Sequence, residues 1–491
     1  MNNDFKNKKI LRFGKLLGIG AVVLLASCTK NILDTTPTTS ISSAVAYSTA
    51  AKILANVNAL YTQTESGAYY GGNYIIYNEQ RGDEFSQNSG NPDDGISVWS
   101  QAVSASTEQV NNLWGQAYTV INSANLLIEN IAKTTVIPDS LITNYTAEAK
   151  FLRALAYFSL VQTYGHPYAQ DSTALALPLR LTGNTTNNNN LVFSTVGQIY
   201  TQVIQDLNDA EAGLPVSYNT ALLNVSRASK STAIALKTRV FLAKGDYASV
   251  QTEAAKIVSS TAPFQYSGGT ITHNLEGNIA TVFKGSYTGN EAVFSLPFVT
   301  AAEAPGEQGA LAYYYLFQPV LVLNPVGIFA DTVFSSPTST DARKNLIKAN
   351  PVAGNNLLNK FSINTIPFLD YVPVIRYAEV LLNYAEAASR TGNLTLGTSL
   401  LTAVRSRSNP NAVFQQSSIS TSDSLTATIL NERRIELLGE GFRTPDLLRR
   451  VQTLPAKTGS QGAALAVLPT SANYIWPVPS GEAAYNNLAP K

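Results

Sequence analysis

Three acidic residues, Glu432, Glu436 and Glu440, recur every fourth position, and a second acidic group, Glu79, Asp83 and Glu84, lies near the start of the chain. Carboxylates are the equipment of glycoside hydrolysis, which needs two of them roughly 5 to 10 Å apart across a cleft. On one helix, however, the 432/436/440 spacing stacks like charges that repel unless cations answer them, and Arg433, Arg434 and Arg443 are at hand. A structural ion network is therefore the better reading. Arg81 and Asp83 read as fixing a loop to the scaffold, and both are kept as supports behind a ligand site; Arg376 and Glu379 read as structural. The two histidines, His166 and His273, lack partners at metal or triad spacing. No cofactor, metal ion or catalytic residue is expected.

Binding an uncharged sugar calls for flat aromatic faces beside amides and hydroxyls. Two clusters offer this: Tyr69, Tyr70, Asn73, Tyr74 and Tyr77, with Gly71 and Gly72 among them and Trp99 beyond a Gly/Asn/Asp-rich stretch; and Tyr313, Tyr314, Tyr315 and Phe317. The candidate ligand contacts are Tyr70, Asn73, Tyr74, Trp99, Tyr313, Tyr314 and Tyr315. The competing reading of a tyrosine run is burial in the core. Charged residues make up 14% of the chain, against the usual quarter, so the surface is expected to be neutral and polar.

Cys28, the only cysteine among 491 residues, ends the run Leu25-Ala26-Ser27-Cys28. Upstream lie Lys6, Lys8, Lys9, Arg12 and Lys15 and an apolar stretch over 16–26. That is the pattern of a secretory signal, too short for a membrane-spanning helix of roughly 20 residues. Leu-Ala-Ser-Cys matches a bacterial lipobox, so residues 1–27 are expected to be removed and Cys28 acylated, two or more chains holding the protein firmly to a membrane. Loss of the five basic residues and Asp4 turns the formal net charge of +1 into about −3, which argues against nucleic acid. With one thiol no disulfide framework is possible, and the core must stabilise the exported fold.

The elements that position these residues are mostly helical. Residues 28–43 read as a tether. From 44 a helix begins with Ala51, Leu54, Ala55 and Asn58 on one side, and Tyr-rich sequence interrupts it over 67–77. Apolar residues at three- and four-residue steps predict a helix over 109–131, its start sealed by Trp114, and another over 142–164, stopped by Gly165 and Pro167. Residues 166–190, ending in an Asn-rich run, lack the apolar period of an element and read as a surface loop. Thr195 and Gln198 form a capping box ahead of a further helix. Helical hairpins are expected at 230–244/247–258, turning at Gly245-Asp246, and at 374–390/394–407, turning at Gly392-Asn393. Residues 262–368 are richer in Gly, Pro and aromatics, with a short strand near 291–296. A helix over 425–438 and an aromatic, proline-bearing strap over 474–479 complete the chain. The organisation is thus 44–261 helical, 262–368 irregular and 369–491 helical. The fold class is mainly α, with irregular tetratricopeptide-like helical hairpins and a loop-rich insertion containing small strands.

In order, these motifs resemble the SusD/RagB family of outer-membrane nutrient-binding lipoproteins over essentially the whole mature chain. They are the lipobox followed by Leu33-Asp34 and Pro37, Arg81-Gly82-Asp83, Phe151 to Ala154 with Tyr164-Gly165, Arg376 to Ala387, Glu432 to Arg449, and Trp476-Pro477-Val478-Pro479. His166-Pro167 and the terminal Leu488-Ala489-Pro490-Lys491 depart from the family pattern. The resemblance implies four tetratricopeptide-like hairpins, ligand-contacting aromatics from loops after the first helix and in the mid-chain insertion, and no catalysis. It also implies a partner, a SusC-like TonB-dependent outer-membrane transporter to which oligosaccharides, or sometimes peptides, are passed at the cell exterior. A glycan-binding lipoprotein is the leading reading, a peptide-binding or assembly lipoprotein the second, and a surface glycosidase the third.

Overall fold

The computed structural model describes residues 43–184, 188–284 and 288–490. The expected signal sequence, Cys28 and all but the last residue of the expected tether lie outside the described residues. Helix α1 (Ala50–Thr64) is followed by α2 (Asn73–Gln80), α3 (Glu108–Ile131), α4 (Asp139–Tyr164), α5 (Val196–Gly213), the pair α6 (Lys230–Lys244) and α7 (Tyr247–Ala254), the pair α8 (Tyr377–Arg390) and α9 (Leu394–Ser408), α10 (Ser422–Glu436), and the short α11 (Ser480–Tyr485). Helices pack in succession: α1 on α3 and α4, α3 on α4, α4 on α5, α5 on α6, α6 and α7 on α8, and α8 on α9 and α10. This is the stacking expected of degenerate helical repeats.

Helix α4 is the hub because its alanines and aromatics alternate on every side. Ala149, Phe151, Ala154, Leu155, Ala156, Tyr157 and Phe158 are all buried, and the small residues let three neighbours approach. Helix ends follow their capping residues. Thr195 and Gln198 close a reciprocal capping box on α5, and Gly245 turns between α6 and α7 with a φ of 79° that favours glycine.

Several expectations need correction. The buried stripe of α1 is Ile53, Val57, Leu60, Tyr61 and Thr64, whereas Ala51, Leu54, Ala55 and Asn58 face solvent. The β-branched and long side chains at 53, 57, 60 and 61 bury more apolar area than the alanines, and that decides the face. Residues 374–376 are strand, not helix: Val372–Arg376 pairs antiparallel with Ala292–Leu296. The stretch over 67–77 is half helical, since α2 begins at Asn73. The presumed loop over 166–190 contains the strand Leu175–Pro178, which pairs with Phe193–Thr195. No helix among the described residues is long and apolar enough to cross a membrane.

The strap behaves as expected. Trp476 is buried against Tyr77 and Tyr164, its backbone N–H donates to the Thr163 carbonyl at 3.0 Å, and the Ser480 backbone N–H donates to the Ala105 carbonyl at 2.8 Å. The strap thereby carries α11 across the open side of α3.

Candidate functional site

One face of α3 carries a second periodic pattern besides its apolar one. Asn111, Trp114, Gly115, Tyr118, Asn122 and Asn125 fall at three- and four-residue steps, a continuous stripe on a helix. Opposite it stand Arg180 and Thr182 on one side and Glu482 and Tyr485 of α11 on the other, enclosing a cavity of about 430 Å³. That size is typical of a small-molecule cleft.

Neighbouring elements hold these walls in place. Asn125 is buried, donates to the carbonyls of Arg180 (3.1 Å) and Thr182 (3.0 Å), and accepts from Arg153 at 2.8 Å. Arg153 in turn grips Asp206 of α5 through two hydrogen bonds. The Phe-Leu-Arg-Ala motif therefore positions the cavity wall from behind. Arg180 donates to the carbonyls of Asn188 and Asn189 and pairs with Glu482 at 3.2 Å. Buried Asn486 exchanges two hydrogen bonds with the Leu191 backbone, which ties α11 to that loop. Asn111 accepts from Gly481 N–H at 3.2 Å.

The result is a pocket with an aromatic wall, amides and one neutralised charge pair. Trp114 lies deep, packed on Tyr164 and Phe193; Tyr118 is half-buried; Tyr485 is 77% exposed at the rim. Gly115 leaves bare backbone at the pocket wall, and a Cβ there would meet nothing within 4 Å. Glycine inside a helix costs about 0.5–1 kcal/mol relative to alanine, so the gap is maintained against helix propensity.

The sequence-derived ligand residues lie elsewhere and mostly inside. Tyr70 and Tyr74 are buried, with ring centroids 4.8 Å apart, beside Tyr69, whose hydroxyl bonds Ser159 at 2.9 Å. Gly72 explains this, because its Cα lies so near the Gly309 carbonyl that a Cβ would stand 2.0 Å from that oxygen. The two aromatic stretches are pressed together backbone to backbone. Asn73 is half-buried, and its Oδ1 has no hydrogen-bond partner. Trp99 is 1% exposed and donates to the Phe85 carbonyl at 3.1 Å. Tyr313, Tyr314 and Tyr315 are buried in a single π-helical turn, their hydroxyls bonded to Asp94, the Gln308 carbonyl and the Gly439 carbonyl. An exposed aromatic platform is thus not formed by these rings, which are occupied in packing; of the second cluster only Phe317 keeps a face in solvent. Arg81 donates to the Tyr474 carbonyl at 2.7 Å and Asp83 pairs with Arg443 at 2.6 Å, so both tie the loop to the C-terminal segment.

The acidic groups are likewise interior. Glu432, Glu436 and Glu440 form a network, but its cations are Arg343, Lys360, Arg376, Arg405 and Arg407. The expected Arg433, Arg434 and Arg443 answer Asp446, Glu84 and Asp83 instead. Among the described residues no group of three or more His, Cys, Asp or Glu is placed to hold a metal ion. His273 is buried against Ser231 at 2.8 Å, and burial lowers it to about 4.

Glu79 stands apart. Burial raises its carboxyl to about 8, against the Gly441 N–H that stabilises the anion, and its second oxygen has no partner. The folded state therefore holds this proton where the unfolded chain has released it, and stability falls as pH rises from about 4.5 to about 8. Glu79→Gln is expected to destabilise at pH 5 by about 1–3 kcal/mol, because its amide buries unpaired N–H groups. At pH 9 it is expected to stabilise by about 2 kcal/mol, once the charge-burial cost is removed. Denaturant melts of both proteins at the two pH values check this; a stability difference that does not change between them would place the Glu79 carboxyl near its ordinary range.

A family model described as starch-binding and associating with the outer membrane matches residues 32–242, and the SusD family model matches residues 364–487. SusD-like protein P2 of Formosa agariphila is 24% identical over 276 residues, covering 53% of this chain and 48% of that protein. This chain thus spans about half the length of that relative. A SusD superfamily protein from Bacteroides fragilis superposes with a TM-score of 0.81 at 29% identity, over 91% of this chain and 100% of that one. A laminarin-binding SusD-like protein superposes with a TM-score of 0.66 at 20% identity, over 89% and 98%.

Proposed function

Because this chain belongs to the SusD/RagB family, we propose that it is a carbohydrate-binding lipoprotein whose ligand occupies the cavity between α3 and α11. The observation that carries the site is the combination of Trp114, Tyr118 and Tyr485 with the amides of Asn122 and Asn184 around about 430 Å³. Aromatic faces stack on the C–H faces of sugar rings, and amides exchange hydrogen bonds with hydroxyls. The volume suits a short oligosaccharide segment. Acylation of Cys28 would hold the protein on the outer membrane facing outward, and a TonB-dependent barrel transporter would receive the ligand. The family description of starch binding supports the ligand class.

The test is titration calorimetry of the mature chain against neutral oligosaccharides and peptides, repeated with two variants. Tyr485→Ala removes an exposed ring and is expected to weaken sugar binding about tenfold, near 1.4 kcal/mol. Gly115→Leu fills the open pocket wall and is expected to weaken it at least as much while the melting temperature stays level or rises. Sugar binding unchanged in both variants would move the site elsewhere, and binding of a peptide alone would replace the carbohydrate reading.

A further inference from the structure

The ionic residues of the cavity lining are Arg180 and Glu482, and they neutralise each other. Their side chains are only 14% and 11% exposed, so the pair sits in the wall, poorly screened by solvent. Arg180 is fixed independently by the Asn188 and Asn189 carbonyls at 3.0 and 2.8 Å. It would therefore stay in place without Glu482. Glu482 is held by Asn486 Nδ2 at 2.9 Å and by the turn of α11.

We infer that Glu482 is a charge filter: by cancelling Arg180 it restricts the cavity to uncharged saccharides and excludes uronic-acid and sulfated ones. This rests on the carbohydrate reading of the same cavity. An acidic sugar entering the wild-type pocket meets the Glu482 carboxylate beside Arg180, the only cation among the described lining residues, and it would have to break an existing pair to reach it. A neutral sugar meets no net charge and can use both groups, its hydroxyls donating to the Glu482 carboxylate and accepting from the Arg180 guanidinium. Glu482→Gln keeps shape and the acceptor for Asn486, yet leaves Arg180 uncompensated in a low-dielectric wall. That is the arrangement that favours a carboxylate or sulfate.

The experiment titrates trigalacturonic acid into wild type, Glu482→Gln and the double variant Glu482→Gln/Arg180→Met, with the neutral panel run alongside. Wild type is expected to bind the acidic trisaccharide at least tenfold more weakly than its best neutral ligand. Glu482→Gln is expected to gain tenfold or more for trigalacturonic acid, with the gain falling as salt rises and vanishing in the double variant. Wild type binding trigalacturonic acid as tightly as neutral sugars overturns the filter, and needs no variant to fold. A folded Glu482→Gln that gains nothing overturns it equally. Failure of every saccharide, neutral or acidic, to bind wild type and both variants would remove the carbohydrate reading itself, whereas neutral sugars binding wild type with no acidic gain in Glu482→Gln removes the filter alone.

Discussion

Glu436→Ala is expected to destabilise the protein by about 3–5 kcal/mol, the usual cost of stripping one partner from a buried ion pair. Glu436 is fully buried and accepts from Arg343 and Arg376 at 3.1 Å each, and from Arg407. Its loss would leave three guanidinium groups facing one another, with Glu291, Asp341, Glu432 and Glu440 each already engaged. Arg343 comes from the insertion, Arg376 from the strand before α8, and Arg407 from the end of α9. The damage would spread through three segments that α10 otherwise holds together. At about 1 kcal/mol per degree for a chain of this length, the melting midpoint should fall by about 3–5 °C. Calorimetric melts check this, and a drop under a degree would mean that neighbouring carboxylates or water replace Glu436.

The same network sets the acid limit of the fold. Burial alone would raise the Glu436 carboxyl, but Arg407, Arg376 and Arg343 outweigh it and hold it well below the usual range. Glu440 and Glu386 are held low in the same way, burial being overcome by Arg376 and Lys360 and by Arg449. Because these folded-state values are depressed, their stabilisation is present above the ordinary carboxylate range and is lost as pH falls through the lowered values. Glu79 slopes the opposite way, losing stability as pH rises toward about 8. The two trends oppose each other, so stability is expected to pass through a maximum between them.

Much of this architecture is legible in the sequence because helices of three or more turns announce themselves by period. The α3 stripe of Leu113, Ala117, Val120, Ile121 and Ala124 is regular enough to fix its ends within a few residues. Motifs of charged residues also read correctly as structural, since like charges on one helix face demand counter-ions. Which cations answer them is not legible: Arg343 and Glu432 meet only through tertiary packing. The candidate site was harder for a related reason. A cluster of tyrosines advertises aromatic surface, but exposure depends on what packs over it, and the approach of Gly72 to Gly309 covers those rings. The polar stripe at Asn111, Gly115, Tyr118, Asn122 and Asn125 was present throughout, with a helix-disfavouring glycine at its centre. That stripe is a periodic signal of its own, polar and aromatic residues at helical spacing where alanine would cost less. The contribution of Glu482 and Tyr485 from the far end of the chain had no local signature at all.

Trp99→Ala separates these two aromatic sets. Truncating a fully buried tryptophan is expected to cost about 3–5 kcal/mol through lost burial and the cavity left behind. Here the Phe85 carbonyl also loses the indole N–H, and the buried Lys457 loses the ring face 5.4 Å from its ammonium. Lys457 is itself held by the carbonyls of Gln80 and Gly82, so the variant should loosen the Arg81-Gly82-Asp83 loop that it and Arg443 anchor. The expected result is a melting midpoint lowered by about 4–6 °C with the sugar affinity of the folded protein unchanged, because Trp99 is not among the residues lining the cavity. Tyr485→Ala should do the reverse, weakening binding and leaving the melt alone. Calorimetry below the melting transition, paired with thermal melts of both variants, distinguishes the two. If Trp99→Ala stays stable and loses affinity instead, the ligand lies at the aromatic loops beside Phe317, and the α3 cavity serves another purpose.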